Sequence, residues 1–133
     1  MTVTLSNPKE LIATDAYHHV AVATGTRHVH VAGQVGWDAE GTLGAADLAG
    51  QVAQAYRNVG HALRSVGASF GDVVRLTVYV VDWDVAQYPA FAEGVARVAD
   101  EIGFTAPPAT LVEVVSLFEP GLLVEVEATA VLS

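Results

Sequence analysis

The sequence predicts a single α+β domain in which a mostly antiparallel sheet carries two helices packed on one face. Three observations predict it. Apolar spacing switches along the chain between a strand period of two and a helix period near 3.6, in the order ββαβαββ. Glycine-containing breaks separate those segments, and no linker, repeat or low-complexity stretch intervenes. The length, 133 residues of which 52% are hydrophobic, suits one domain over residues 1–133 with a sizeable core.

Tyr17 to Thr24 reads as a strand, Gly25-Thr26 as a tight turn and Arg27 to Val35 as a second strand, which together predict a hairpin. Asp38 to Ala46 is a loop punctuated by Gly41 and Gly44. Asp47 caps or opens a helix running to about Val66, with Leu48, Val52, Ala55, Val59, Ala62, Leu63 and Val66 on one face. Gln51, Gln54, Arg57 and Arg64 fall mostly off that stripe, and Gly67 stops the helix. Val73 to Val81 is β-branched and reads as a buried strand. A second helix follows from about Val85 to Ile102, with Pro89 near its start and Gly103 at its end. Its stripe is Val85, Tyr88, Phe91, Val95, Val98 and Ile102. Ala109 to Leu117 and Leu122 to Val131 complete the sheet around a Glu119-Pro120-Gly121 turn.

Alternation divides the last strand. Leu122, Val124, Val126, Ala128 and Ala130 share one face; Leu123, Glu125, Glu127, Thr129 and Val131 share the other. With both helices on the first face, a second face that mixes apolar residues with carboxylates suits a subunit interface with a polar pocket. A homo-oligomer is therefore expected.

Composition excludes several functions. The net charge is −9 and only six residues are Lys or Arg, so a nucleic-acid partner and an anionic membrane surface are not expected. No apolar run approaches the roughly 18 residues of a membrane span, and the N-terminal MTVTLSNPKE lacks the pattern of a signal peptide. Cysteine is absent, which removes disulfides, thiolate nucleophiles and thiolate metal sites, and fits a cytoplasmic protein. His28 and His30 project from one strand face with His18 and His19 nearby, but no third ligand has motif spacing, so no metal is expected. His30 remains a candidate acid or base. Trp37 and Trp83 follow strand ends, where a ligand-site wall and a loop anchor are both open.

Four segments carry a wider resemblance: AYHHVAV, HVAGQVGWD, the long stretch VAQAYRNVGHALRSVGASFGDVVRLTVYVVD, and the tail PPATLVEVVSLFEPGLLVEVEATAVL. Their order and spacing, from about Tyr17 to Val131, resemble the Rid family (reactive intermediate deaminases, the YjgF/YER057c/UK114 or endoribonuclease L-PSP-like family). The resemblance implies the chorismate mutase-like Rid fold and a homotrimer with clefts between neighbouring subunits. It also implies hydrolysis of a small reactive imine or enamine without a cofactor. Tyr17, Gly33, Gln34, Glu113 and Glu125 match the family's pattern, with Ala32 beside Gly33 in the AGQ segment.

The departures lie where the family binds its substrate. The family motif P-A-R-S-x-V-E aligns with Pro107-Pro108-Ala109-Thr110-Leu111-Val112-Glu113, so Ala109 stands in place of the arginine that holds a substrate carboxylate. Leu111 replaces a common cysteine, and Pro89 a pocket asparagine. Arginine offers a permanently charged, bidentate fork that alanine lacks. The replacement argues against standard 2-imino acid deamination and for a neutral or cationic ligand, unless Arg27 or Arg75 arrives from another strand.

On this reading Glu125 is the catalytic candidate, positioning a water, and Glu127 shares its strand face about 7 Å away, close enough for each to raise the other's pKa. Tyr17, Ala32, Gly33, Pro89, Ala109, Leu111, Glu113 and Glu127 are the binding candidates, although a structural pairing with a backbone N–H or a neighbouring subunit is the favoured reading of Glu113. Two functions stay open. One is an imine or enamine hydrolase, or a related hydrolase or tautomerase of a substrate without a carboxylate. The other is a non-catalytic binding or protective protein.

Overall fold

The computed structural model describes residues 2–133. Eight elements follow in order: β1 (Val3–Ser6), β2 (Val20–Ala23), β3 (Arg27–Gln34), α1 (Leu48–Ser65), β4 (Val73–Val81), α2 (Tyr88–Ile102), β5 (Ala109–Val114) and β6 (Val124–Leu132). Four strands form one sheet in the order β3-β6-β4-β5. β6 is antiparallel to both β3 and β4, while β4 and β5 run parallel, joined through α2. The α+β expectation holds.

The predicted hairpin does not. β2 pairs with β1, from Val3↔Ala23 to Ser6↔Val20, and the two form a separate ribbon. The Gly25-Thr26 turn serves another purpose. The Thr26 N–H donates to the Leu132 carbonyl at 3.0 Å. A Cβ on Gly25 would lie 2.3 Å from that same oxygen and 2.8 Å from Val131 Cγ1. The chain therefore crosses the end of β6 instead of folding β2 back beside β3, and it needs a glycine to pass so close. Val131 is buried there although alternation puts it on the face away from the helices. β1 escaped the sequence reading because four residues carry too little alternation to register.

The helices follow from their ends and stripes. The Asp47 carboxylate accepts from the Gly50 N–H at 3.4 Å and caps α1. Gly67 beyond its C-terminus has φ +79°, and Gly103 at the end of α2 has φ +65°, backbone that L-residues resist. The Val85–Gln87 segment, expected as helix, is a separate 3-10 turn capped by Asp84, and Val85 is left exposed. α1 and α2 touch closely at Gly94, where a Cβ would meet the Ala49 carbonyl oxygen at 2.5 Å.

Core and register agree. Val124, Val126, Ala128 and Ala130 of β6 are buried against the helix layer with Leu76, Val78 and Val80 of β4 and Val52, Val59 and Leu63 of α1. Gln51, expected off the stripe, is fully buried. Its amide donates to the carbonyls of Ala45 (3.1 Å) and Gly121 (2.9 Å), closing two loops onto α1. A buried amide needs such partners, and three backbone groups supply them where the stripe alone would call for an apolar residue. β5 ends at Val114 rather than Leu117, leaving Val115 and Phe118 exposed beyond it.

Candidate functional site

The register between β4 and β5 builds one cavity. Leu76 pairs with Ala109 and Val78 with Leu111, so the alternation that buries Leu76 and Val78 turns Ala109 and Leu111 to the same, helix-bearing side. α2 stands over this corner, and the segment before β2 closes its mouth. The resulting cavity, about 510 Å³, is lined by Tyr17, Trp83, Tyr88, Phe91 and Phe104 around Ala109 and Leu111, with Asp15 at the rim and Tyr56 of α1 below. The rings support one another edge to face: Tyr56–Phe104 at 5.7 Å, Tyr56–Phe91 at 6.1 Å and Trp83–Phe91 at 6.4 Å between centroids. Tyr17 is held by its neighbourhood. The next residue, His18, donates its N–H to the Ala106 carbonyl at 2.8 Å.

Charge in this cavity is one-sided. Among the described residues, Asp15 is the single acidic or basic one that lines it. The two arginines that could have replaced the missing one lie elsewhere. Arg27 donates from Nε to the Ser133 carbonyl at 3.2 Å, on the edge strand β3. Arg75 donates to the Thr110 hydroxyl; Thr110 pairs with Thr77, on the sheet face opposite Ala109. Burial pushes the Tyr56 hydroxyl above the ordinary tyrosine range, with the neighbouring Tyr88 adding to it.

Glu125 lies in a second region. It lines a wider cavity, about 810 Å³, with Gly33, Trp37, Asn58, His61 and Phe118. A Cβ on Gly33 would sit 1.8 Å from Glu125 Oε2, so only glycine leaves the carboxylate its place. Asn58 holds the strand exit of β3 by donating to the carbonyls of Val35 (3.0 Å) and Trp37 (2.8 Å). His61 faces Arg64, whose Nη2 is 2.8 Å from its Nδ1. Arginine can only donate, so Nδ1 is the acceptor in this contact. The Trp37 indole N–H is buried without a partner among the described residues.

The binding candidates thus divide. Tyr17, Ala109 and Leu111 meet in the aromatic cavity; Gly33 and Glu125 meet in the wider one. Glu127 is on the strand face of Glu125 and accepts a hydrogen bond from the Tyr79 hydroxyl. That bond, more than desolvation or the charges of Glu127 and Glu125, raises the Tyr79 pKa. Ala32 and Pro89 are exposed and line neither cavity, and Glu113 is exposed near the end of β5. His28 and His30 are exposed on β3, and among the described residues no three His, Asp or Glu side chains gather as a metal site. Sequence reading passed over Tyr56, Asn58 and His61. Tyr56 carried a signal, since it lies four residues after Val52 and three before Val59, on the buried stripe of α1.

Comparison with known proteins agrees with this architecture. The family model described as endoribonuclease L-PSP matches residues 8–132. A crystal structure of a Rid-family protein of unknown function, YyfB from Yersinia pestis, is 35% identical over 99% of this chain and 100% of that one, with a TM-score of 0.88. A YjgF/YER057c/UK114 family member from Mycobacterium tuberculosis is 32% identical over 98% and 100%, with a TM-score of 0.62. The YjgF gene product of E. coli is 27% identical over 90% of each chain, with a TM-score of 0.69. No match was found among curated protein sequences. With its fold, its family model and its structural relatives in agreement, the chain belongs to the Rid, or YjgF/YER057c/UK114, family.

Proposed function

We propose that this chain acts on a small reactive metabolite of the imine or enamine type, bound in the aromatic cavity beside Ala109, and that standard 2-imino acid deamination is reduced or lost. The observation that carries this reading is the wall at Ala109. It is apolar, and among the described residues no basic one lines the cavity around it. A charge-assisted hydrogen bond to a substrate carboxylate contributes on the order of 1.5–3 kcal/mol. Its absence costs about tenfold in rate per ~1.4 kcal/mol of lost transition-state stabilisation, and more if orientation suffers. A bare carboxylate would also be desolvated against Leu111 and the rings.

The proposal includes a homotrimer working in the cytoplasm. Glu125 and Ala109 line different cavities of one chain, so Glu125 would serve a ligand at Ala109 only if a neighbouring subunit brought it there. That division also favours the second reading, a binding or protective protein with no chemistry, if no such assembly forms.

The test is semicarbazone trapping of an imine generated by an amino-acid oxidase, with wild type, Ala109→Arg and Glu125→Gln. Slow or absent turnover of simple amino-acid imines by wild type is expected, with partial recovery in Ala109→Arg. Wild-type rates equal to those of an arginine-containing family member would overturn the reading. Activity on a carboxylate-free imine that disappears in Glu125→Gln would separate enzyme from binding protein.

A further inference from the structure

The cavity beside α2 combines three features that point at one class of ligand. Its walls are aromatic: Tyr17, Trp83, Tyr88, Phe91 and Phe104. Its single formal charge among the described residues is the exposed Asp15 carboxylate at the rim. Its floor holds the ring of Tyr56, almost fully buried.

We propose that this cavity takes an apolar amine in its protonated form, with the ammonium group against Asp15 and the ring faces and the hydrocarbon part against Leu111 and α2. The inference rests on the reading of this cavity as the ligand site and adds the charge of the ligand to it. Aromatic faces carry the negative lobe of their quadrupole and attract cations. Asp15 adds a full negative charge. A carboxylate meets repulsion from both and finds no arginine at position 109. A neutral ligand of the same shape keeps the apolar contacts and gains nothing from either.

The experiment is isothermal titration calorimetry of the full-length protein with three probes on one skeleton: 3-phenylpropylamine, 3-phenylpropan-1-ol and 3-phenylpropanoate, at neutral pH. The amine should bind most tightly, by about tenfold or more over the carboxylate. Asp15→Asn, an exposed and isosteric change, should weaken the amine several-fold and leave the alcohol unchanged. Ala109→Arg should move the preference toward the carboxylate. An alcohol that binds as well as the amine, or an amine preference that survives Asp15→Asn undiminished, would overturn this inference and leave the cavity as the ligand site. Absence of binding by all three probes at millimolar concentration would overturn both.

Discussion

The Leu123 N–H donates to Gln51 Oε1 at 2.8 Å, two residues before Glu125. The entry of β6 is thereby fixed to the first turn of α1, while the other end of the same amide holds the Ala45 and Gly121 carbonyls. The position of Glu125 is inherited from a buried glutamine on another element. Gln51→Leu keeps the volume and strips three backbone groups of their partner. Unsatisfied buried groups cost about 1–3 kcal/mol each, with some relief from water, so a loss of roughly 3 kcal/mol is expected. Urea denaturation measures it, and a change under 1 kcal/mol would show that the loops find other partners.

Gly33→Ala should spare the fold and disturb the site. The added Cβ collides with the free end of the Glu125 side chain, which can turn away. The expected change in stability is within about 1 kcal/mol. Any activity that depends on Glu125 should fall as far as in Glu125→Gln, and the double variant should be no worse than either single one.

Gly94→Ala is the opposite case. Its Cβ would meet the Ala49 carbonyl oxygen at 2.5 Å and Val52 Cβ at 2.7 Å, groups that cannot swing aside. Forcing α1 and α2 apart should cost about 1–3 kcal/mol. A melting temperature equal to that of wild type would show that the helices slide without loss.

Two of the four tyrosines should resist ionisation. Tyr56 is raised by burial and Tyr79 by the bond to Glu127. A raised folded-state pKa means that the contribution to stability is complete below the unfolded value of about 10 and is lost as pH rises through the folded value. Absorbance at 295 nm during alkaline titration should show Tyr56 ionising only with unfolding. Loss of the late step in Tyr56→Phe identifies it. Ionisation of Tyr56 in the folded protein would contradict the prediction.

The proposed trimer predicts a particle of three times the 13.9 kDa chain mass in light scattering at micromolar concentration. A stable monomer would remove the route by which Glu125 reaches the aromatic cavity.

The helices and the four-stranded sheet were legible because their signals are local. Asp47, Gly67 and Gly103 mark ends, and Val124 to Ala130 alternate without interruption. The pairing of β2 was not legible. Gly25-Thr26 looks like a hairpin turn from within, and its true partner, Leu132, lies at the far end of the chain. Gln51 was misplaced for the same reason, since its partners are backbone groups near and remote that no periodicity records. The site was half legible. Ala109 and Leu111 fall where the family motif puts them, but the aromatic floor comes from Tyr56 on a helix read only for its aliphatic stripe.

β5 pairs with β4 on one side only, so its outer edge presents unpaired backbone groups. Such an edge invites any extended segment to add a strand, and the exposed Val112 on β5, with Val115 and Phe118 just beyond it, makes the invitation sticky. Glu113, exposed among them, is the charge that discourages it. Glu113→Val should leave binding untouched and turn a well-behaved preparation into one that aggregates on standing.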